Sequence, residues 1–255
     1  MKVITWNLWN KNPDQFTSIK FLMDLGAEVI CLQEVLLETI IRLQSFANSP
    51  ENKDEKGSKW QVFQALDHRD ATTQHYLVIL TKIPVCRHFC DYLDSTPPYS
   101  FLAKRHKIQS VRQFHYVDLI YQNTKFRIFN IHLEVAVGPR RRLLQFDNLV
   151  KNFGENNVVC GDFNVFPHPL GNLFLGWAAS FSLGDYTTNE RKKFEEKFKK
   201  LNLNNVFRKR VTYPRYKLQL DHILVPKNME ILEKKVGKKT TSSDHYWLYC
   251  EFEKR

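Results

Sequence analysis

The feature that most constrains the fold of this 255-residue chain is its alternation of short apolar segments with amphipathic ones. Residues 3–7 predict a strand, residues 13–25 a helix that Gly26 closes, and residues 28–33 a second, buried strand. Other segments predict a hairpin around residues 122–124. Because hairpins and helical crossovers are mixed, the pattern predicts an α/β protein with more than one sheet.

The remaining predicted elements continue this alternation. Helices are predicted at residues 36–46, 139–153 and 191–200, and strands at residues 60–65, 76–81, 85–92, 110–121, 126–133, 157–160, 219–225, 230–236 and 246–252. A polar loop is predicted at residues 48–59, and a long aromatic, irregular segment at residues 166–186. Since the sequence contains no internal repeat and no Pro/Gly-rich linker, we expect one domain over residues 1–255.

Composition favours a polyanionic partner. The formal net charge is +11 and the sequence pI is about 9.4, which suits nucleic acid, anionic lipid headgroups or polyphosphates. No apolar run is long enough for a transmembrane helix and no signal peptide is visible, so we expect an intracellular protein without membrane insertion. Cys31, Cys160 and Cys250 lie in apolar runs and are predicted to be buried free thiols of a reducing compartment.

Polar residues stand inside or directly after several of the predicted strands. Strand ends are where α/β folds place reactive groups, and carboxylates that converge there attract a hard cation such as Mg²⁺. An adjacent Asp–His pair suits phosphoryl chemistry because the carboxylate fixes the imidazole tautomer. These polar residues are Asn7, Glu34, His132, Asp162, Asn164, Asp221, Asp244 and His245.

The motifs around these residues resemble the endonuclease–exonuclease–phosphatase superfamily. That group includes pancreatic-type deoxyribonucleases, abasic-site endonucleases, tyrosyl-DNA phosphodiesterases, neutral sphingomyelinases and inositol-polyphosphate 5-phosphatases. The matching pieces follow the family's order and cover nearly the whole chain: Thr5-Trp6-Asn7, Leu32-Gln33-Glu34, Asn130-Ile131-His132-Leu133, Gly161-Asp162-Phe163-Asn164, Leu220-Asp221-His222-Ile223 and Ser243-Asp244-His245.

The resemblance implies a four-layer α/β/β/α sandwich of two packed mixed sheets flanked by helices. It also implies a Mg²⁺ site, which Mn²⁺ could occupy instead. Glu34 would be the principal metal ligand, with Asn7 and Asp244 supporting the metal or its waters.

Catalytic roles are likewise implied for the other five residues. Asp162 would orient or deprotonate the attacking water, while Asn164 and His132 would hydrogen-bond the phosphate oxygens. His245, braced by Asp221, would contact the phosphate and take part in proton transfer. The resemblance leaves open whether Asp162 or His245 is the general base.

Taken one at a time, these residues also have ordinary structural explanations. Asn7 could cap the following loop, Glu34 could interact with the dipole of the next helix, and His132 could be a core histidine. Asp162 and Asn164 could form turns. Their joint occurrence in order favours the functional interpretation.

Within the family, two positions argue against the abasic-site branch, namely Trp9 in place of an acid and His132 in place of a tyrosine. The sequence looks more like the tyrosyl-DNA phosphodiesterase and deoxyribonuclease branches, in which a tyrosine matching Tyr76 reaches into the DNA groove. The runs Arg140-Arg141-Arg142 and Lys234, Lys235, Lys238 and Lys239 are predicted to track a phosphate backbone, unless they are solvated surface.

Aromatic residues between positions 163 and 186 could stack on bases, face a lipid, or belong to the core. They are Phe163, Phe166, Phe174, Trp177, Phe181 and Tyr186. We expect Tyr76, Arg140, Arg142 and Trp177 to bind substrate. The leading expectation is a monomeric Mg²⁺-dependent nuclease or DNA-end phosphodiesterase that acts on nucleic acid. The alternatives are a lipid or inositol phosphate hydrolase and a non-catalytic scaffold of the same fold.

Overall fold

A computed structural model describes residues 1–52, 58–70, 73–94, 96, 98–108, 111–166, 176–237 and 243–255. Its strands are β1 (Lys2–Asn7), β2 (Val29–Leu36), β3 (Gln61–Arg69), β4 (Gln74–Thr81), β5 (Val85–Tyr92), β6 (Gln113–Tyr121), β7 (Thr124–His132), β8 (Asn157–Asp162), β9 (Leu203–Asn205), β10 (Asp221–Pro226), β11 (Met229–Val236) and β12 (Leu248–Lys254). Its helices are α1 (Gln15–Asp24), α2 (Leu37–Asn48), α3 (Phe101–Arg105), α4 (Pro139–Val150), α5 (Leu183–Tyr186) and α6 (Glu190–Lys200). Single 3₁₀ turns cover Pro50–Asn52 and Pro214–Tyr216.

The described strands form two six-stranded sheets with the same pairing pattern. One has the order β11-β12-β1-β2-β4-β3 and the other β5-β6-β7-β8-β10-β9. In each sheet a central parallel pair, β1 with β2 or β7 with β8, is flanked on both sides by antiparallel neighbours. Both strands of a parallel pair end at the same edge of the sheet, so each pair brings two chain segments together there.

The sheets pack face to face, with helices on both outer surfaces. Alternation along the strands explains this arrangement, because successive side chains point to opposite faces. In β1, Val3 joins the core between the sheets and Ile4 packs under α1 and α2; in β8, Val158 points inward and Val159 packs under α4 and α6. The predicted four-layer α/β/β/α sandwich is therefore confirmed.

Phenylalanines make up much of the layer between the second sheet and its helices. Phe146 of α4 and Phe194 and Phe198 of α6 surround Phe163, with ring centroids 5.5 to 5.9 Å apart. Phe163 is fully buried. For this residue the core interpretation applies, and the loop that carries the Gly-Asp-Phe-Asn motif is anchored from beneath.

Several predicted boundaries shift. The β6–β7 turn consists of Gln122 and Asn123, both with positive φ, and Thr124 already belongs to β7. The helix predicted at residues 139–153 ends at Val150. Helix α3 and the short strand β9 were not predicted. Residues 53–57 of the predicted loop, residue 110 of a predicted strand and residues 167–175 of the aromatic segment lie outside the described residues.

The three cysteines that lie in apolar runs match the prediction. Cys31, Cys160 and Cys250 are buried free thiols, whereas Cys86 and Cys90 are exposed. None of the helices that the structure describes combines the length and the apolar character that a membrane span requires.

Candidate active site

The side chain of Asn7 links the two sheets at the shared edge of their parallel strands. Its Nδ2 donates to Glu34 Oε1 and to Asp162 Oδ2, at 3.1 Å in each case. Its Oδ1 accepts from the backbone N–H of Trp9 at 3.0 Å. Asn7 is buried, and its position fixes the separation of two carboxylates that come from different sheets.

The sequence predicted that Glu34 directly follows the second strand. In the structure Glu34 lies within β2, which continues to Leu36. The register of β2 against β4 shifts between Leu32 and Val35, and Glu34 takes a φ of +56° at this bulge. The left-handed conformation turns the carboxylate toward Asn7, while the Glu34 carbonyl accepts from Gln15 Nε2 at 2.8 Å. Its Oε2 accepts from the backbone N–H of Asn10 at 2.9 Å.

Burial alone would raise the pKa of Glu34. The positive charges of His132 and His68 and the hydrogen bond from Asn7 outweigh it, so the pKa is lowered. Glu34 is therefore a carboxylate at neutral pH.

His132, at the end of β7, belongs to a buried network of charged groups. Its Nδ1 lies 2.8 Å from Asp67 Oδ2, and Arg112 Nη1 donates to Asp67 Oδ1 at 2.5 Å. Arg112 Nε also donates to Glu134 Oε2 at 2.9 Å. Burial would lower the pKa of His132, and Arg112 opposes protonation as well, but Asp67 raises it above its ordinary value. The imidazole is therefore held with Nδ1 toward Asp67 and Nε2 toward the site.

Asp162 closes β8 and lies between two imidazoles. Its Oδ2 is 3.6 Å from His132 Nε2 and 3.9 Å from His245 Nε2. Its Oδ1 accepts from the backbone N–H of Asn164 at 2.8 Å. Burial and the neighbouring Asp221 raise the pKa of Asp162, although both histidines act in the opposite direction. A carboxylate with a raised pKa is a better proton acceptor than an ordinary aspartate.

The backbone around Asp162 explains two residues of the Gly-Asp-Phe-Asn motif. Gly161 has a φ of +139°, and a Cβ at this position would lie 1.9 Å from the carbonyl oxygen of Ile131, so only glycine fits. Asn164 has a φ of +50°, which asparagine tolerates better than most residues. Its Nδ2 donates to the carbonyl of Leu133 at 3.0 Å, joining the ends of β7 and β8.

Asp221 and His245 form a buried dyad. His245 Nδ1 lies 2.8 Å from Asp221 Oδ2, and the Asp221 backbone N–H donates to Thr212 Oγ1 at 3.0 Å. Burial would lower the pKa of His245, but Asp221, Asp162 and Asp244 together raise its pKa to about 10. His245 is accordingly an imidazolium at neutral pH, with its Nε2 toward Asp162.

Asp244 is half-buried next to His245. Burial raises its pKa, and the negative charges of Glu34 and Asp162 raise it further. Three carboxylates therefore share a small region in which they repel one another. Hard oxygen donors under mutual repulsion are the set that a divalent cation stabilises, so Glu34 and Asp244 could hold such an ion. Asn7 turns its Oδ1 toward the Trp9 N–H and its Nδ2 toward Glu34, so it supports this group through Glu34.

A second cluster consists of Asp162, Asp221 and His245, whose ligand atoms lie within 4.8 Å of one another. We favour the first set for a cation. The 2.8 Å contact between Asp221 and His245 Nδ1 has the length of a hydrogen bond, which occupies both atoms. Asp221 Oδ1 is buried without a hydrogen-bond partner among the described residues.

Of the four residues expected to bind substrate, Arg142 needs a correction. Its side chain is fully buried, donates through Nε to Glu190 Oε1 at 2.7 Å and bonds the carbonyl of Val137 at 2.6 Å. A guanidinium in that position ties α4 to α6 and cannot reach a ligand. Arg140, in the same turn, is exposed.

Trp177 and Tyr76 differ in exposure. Trp177 is 66% exposed and packs against Phe101, with ring centroids 5.2 Å apart. Tyr76 is half-buried in β4, opposite Val35, with its hydroxyl 2.6 Å from Gln74 Oε1. Trp177 therefore offers a free ring face, whereas Tyr76 offers only part of its side chain.

The second predicted basic run is described only in part. Lys235 pairs with Glu233 at 2.7 Å, and Lys234 Nζ donates to the carbonyl of Val206 at 3.4 Å. Lys238 and Lys239 lie outside the described residues, as does Phe174. The rings of Phe181 and Tyr186 pack against each other, with centroids 5.7 Å apart.

Three residues that hydrogen-bond to the site residues and their supports were not predicted from the sequence. Asp67, Arg112 and Gln15 were not singled out, although Asp67 stands next to an apolar strand just as Asp221 does. That similarity was the available signal for Asp67. Arg112 and Gln15 carried none, because their partners are distant in sequence.

Known proteins resemble this chain in sequence pattern and in fold. Residues 4–245 match the family model described as Endonuclease/Exonuclease/phosphatase family. A comparison with curated proteins found no match.

Solved structures share the fold. An endonuclease/exonuclease/phosphatase from Beutenbergia cavernae superposes with a TM-score of 0.72 at 12% identity, covering 100% of this chain and 71% of that one. D. rerio TDP2 complexed with single strand DNA product superposes with a TM-score of 0.64 at 14% identity, covering 99% of this chain and 98% of that one. The mannosyl-6-phosphatase Bt3783 of Bacteroides thetaiotaomicron superposes with a TM-score of 0.63 at 14% identity, covering 99% of each chain.

Proposed function

The chain belongs to the endonuclease/exonuclease/phosphatase family, whose members hydrolyse phosphate esters, and on this premise we propose that it is a Mg²⁺-dependent phosphodiesterase acting on nucleic acid. One observation carries the chemical part. Asp162 Oδ2 lies 3.6 Å and 3.9 Å from the Nε2 atoms of His132 and His245 and accepts a hydrogen bond from Asn7. A water and a phosphate placed between these groups would meet an acceptor and two donors.

Asp162 is the proposed general base. Its raised pKa suits proton acceptance, and the Asn164 N–H fixes the carboxylate through Oδ1. His245, with a pKa of about 10, already carries its proton at neutral pH and cannot accept another. Its proposed role is to donate a hydrogen bond from Nε2 to a phosphate oxygen as negative charge develops.

His132 and Asn164 complete the proposed phosphate contacts. Because Asp67 holds Nδ1 of His132, the Nε2 atom faces the site and can donate when the ring is protonated. Asn164 uses one N–H on the carbonyl of Leu133, which leaves its second N–H for a phosphate oxygen.

Glu34 and Asp244, supported by Asn7, are the proposed holders of Mg²⁺, with Mn²⁺ as a substitute. When bound, the ion would neutralise phosphate charge and stabilise the leaving oxygen. The amide of Asn7 joins this group to Asp162 and keeps the two halves of the site in register.

Surface features support nucleic acid as the substrate. Phe101 and Trp177 form an exposed aromatic pair on which an unpaired base could stack, and Arg140 is exposed on α4. A D. rerio TDP2 structure of the same fold contains a single strand DNA product. Residues 1–255 are proposed to act as one catalytic unit and as a monomer.

The test is hydrolysis of labelled single- and double-stranded DNA and RNA with Mg²⁺, with Mn²⁺ and with EDTA. We expect metal-dependent cleavage of at least one nucleic acid, and its loss in Asp162→Ala. Parallel assays on sphingomyelin and mannose 6-phosphate separate the alternatives. Turnover of either of these without nucleic-acid cleavage would reject the proposed substrate but keep the chemistry, whereas no turnover of any substrate would reject both.

A further inference from the structure

One groove of the molecule is lined by none of the catalytic residues. It has a volume of about 1360 Å³ and runs between α6, the edge strand β9, the segment at residues 208–211 and the start of β11. Gln219, two residues before β10, and Lys227, directly after it, both line the groove, so the groove extends over about the length of this strand. Six residues of strand span about 20 Å, a length that several phosphates of a nucleic-acid strand would cover.

The groove is strongly basic. Nine lysines and arginines and three glutamates line it, an excess of six positive charges, against a net charge of +11 for the whole chain. Helix α6 contributes lysine and glutamate together, as a solvated helix face would. The excess comes from the opposite wall, where Arg208, Lys209, Arg210, Lys227 and Arg255 are all exposed. A concave surface of one sign focuses the electrostatic potential and attracts polyanions.

Arg191 provides an independent sign of an anion site at the end of the groove nearest the active site. Its guanidinium donates to the carbonyls of Val165 and Gln219 and lies 2.9 Å from His222 Nε2. These are neutral acceptors, and among the described residues no carboxylate lies within ion-pair distance of Arg191. An anion that approaches a half-buried guanidinium without a carboxylate partner gains a favourable electrostatic interaction.

A second groove adjoins this one and includes Tyr246, the neighbour of His245 in the chain. Lys209, Arg210 and Val211 also line this second groove of about 810 Å³, whose other wall includes Lys234 and Tyr246. Tyr246 follows His245 directly, and its backbone N–H donates to the carbonyl of Thr212. Basic residues therefore line both grooves, from Lys234 in the second to Lys227 and Arg255 in the first.

We propose that this groove binds the phosphodiester backbone of a nucleic-acid strand beyond the phosphate that is cleaved. The proposal rests on the proposed function for the identity of the strand, but it concerns a separate surface. Contacts of this kind are independent of base sequence and weaken with salt. A long strand would therefore bind more tightly than a short one that occupies only the catalytic residues.

The test measures binding without cleavage. Fluorescence anisotropy of a fluorescein-labelled 30-nucleotide single-stranded DNA is followed in EDTA over a series of salt concentrations. The double variant Lys209→Glu with Lys227→Glu is compared with Lys125→Glu with Lys151→Glu. Both pairs are exposed and both change the net charge equally, but Lys125 and Lys151 lie outside the groove.

We expect the groove variant to bind at least about tenfold more weakly at low salt, with the slope of log K against log salt reduced by about 1.4, and the control to change less than about twofold. Thermal melting verifies that both variants fold. Equal weakening of the two variants would show a general charge effect and overturn the proposal, as would absence of binding by the wild type. Binding that depends on the groove without any nuclease activity would reject only the proposed function. Cleavage with wild-type binding in the groove variant would reject only the groove.

Discussion

The two parallel strand pairs present the same geometry but different chemistry. The β1–β2 pair supplies Asn7 and Glu34, and the β7–β8 pair supplies His132 and Asp162. Both pairs deliver their side chains to one edge. Neutral donors hold the first pair, because Glu34 accepts from the Asn7 amide and from the backbone N–H of Asn10.

The second pair is held by buried charges. His132 depends on Asp67, which in turn depends on Arg112 and, through it, on Glu134. A neutral hydrogen bond contributes little net stability, whereas removal of one partner of a buried ion pair leaves an uncompensated charge. The two halves should therefore fail differently: the first by losing the cation, the second by losing proton transfer or the fold.

The largest effect is expected for Asp162→Asn. The variant keeps the size of the side chain but removes the proton acceptor, so kcat should fall by about 10²- to 10⁴-fold. Raising the Mg²⁺ concentration should not restore kcat, since the role proposed for Asp162 is proton acceptance rather than cation binding. Steady-state kinetics over a Mg²⁺ series measure this, and recovery at high Mg²⁺ would reverse the assignment.

Next in size is the loss of stability in Arg112→Met. The change leaves Asp67 and Glu134 buried with reduced compensation, and the free energy of unfolding should fall by about 3–5 kcal/mol. Gln15→Met is the matched change in the first half, where neutral hydrogen bonds to Glu34 and Trp9 are lost, and about 1–3 kcal/mol is expected. Urea unfolding compares the two. Equal losses would erase the distinction between the halves.

Glu34→Gln should reduce kcat/KM by about 100-fold at low Mg²⁺, which corresponds to about 3 kcal/mol of lost charge stabilisation. In contrast to the Asp162 variant, it should recover in part when Mg²⁺ is raised, because the expected defect is in cation binding. Glu38→Gln, an exposed acid of α2, is the control and should behave as wild type. A Glu34 variant that Mg²⁺ does not rescue would place Glu34 outside the cation site.

The smallest effect, when it is measured over a single pH unit, concerns His245, which links the halves. Its pKa of about 10 in the folded protein exceeds the ordinary value near 6.5, so its protonation stabilises the fold fully below about pH 6.5. That stabilisation should be lost between about pH 6.5 and 10, with a slope of at most about 1.4 kcal/mol per pH unit. Urea unfolding of the metal-free wild type and of His245→Gln at several pH values measures this contribution as the difference between their free energies of unfolding. A difference that does not vary with pH would mean that His245 is neutral in the folded protein.

Much of the fold and the grouping of the core residues could be predicted because the signals are local. A polar residue at the end of an apolar strand is visible within six residues, as in Gly161-Asp162 or Leu220-Asp221. Partnerships across the chain are not visible in this way. Asp67 and His132 are 65 residues apart and meet only because β3 and β7 belong to facing sheets.

Neighbouring residues of one type also mislead. Arg140, Arg141 and Arg142 look equivalent in sequence, yet the helical turn exposes the first and buries the third against Glu190, 48 residues away. Glu34 seemed to end its strand because the apolar run stops there. The bulge that keeps β2 going to Leu36 depends on its register with β4, which a single sequence does not contain.

The left-handed backbone at Glu34 sets the stability of this protein against its activity. A φ of +56° costs a glutamate about 1–2 kcal/mol of conformational free energy, a cost that glycine would not have. A library selected only for thermal resistance should therefore drift toward glycine at position 34 and lose the carboxylate on the way. Engineering a more robust enzyme from this chain would have to hold that position fixed and seek its gains elsewhere.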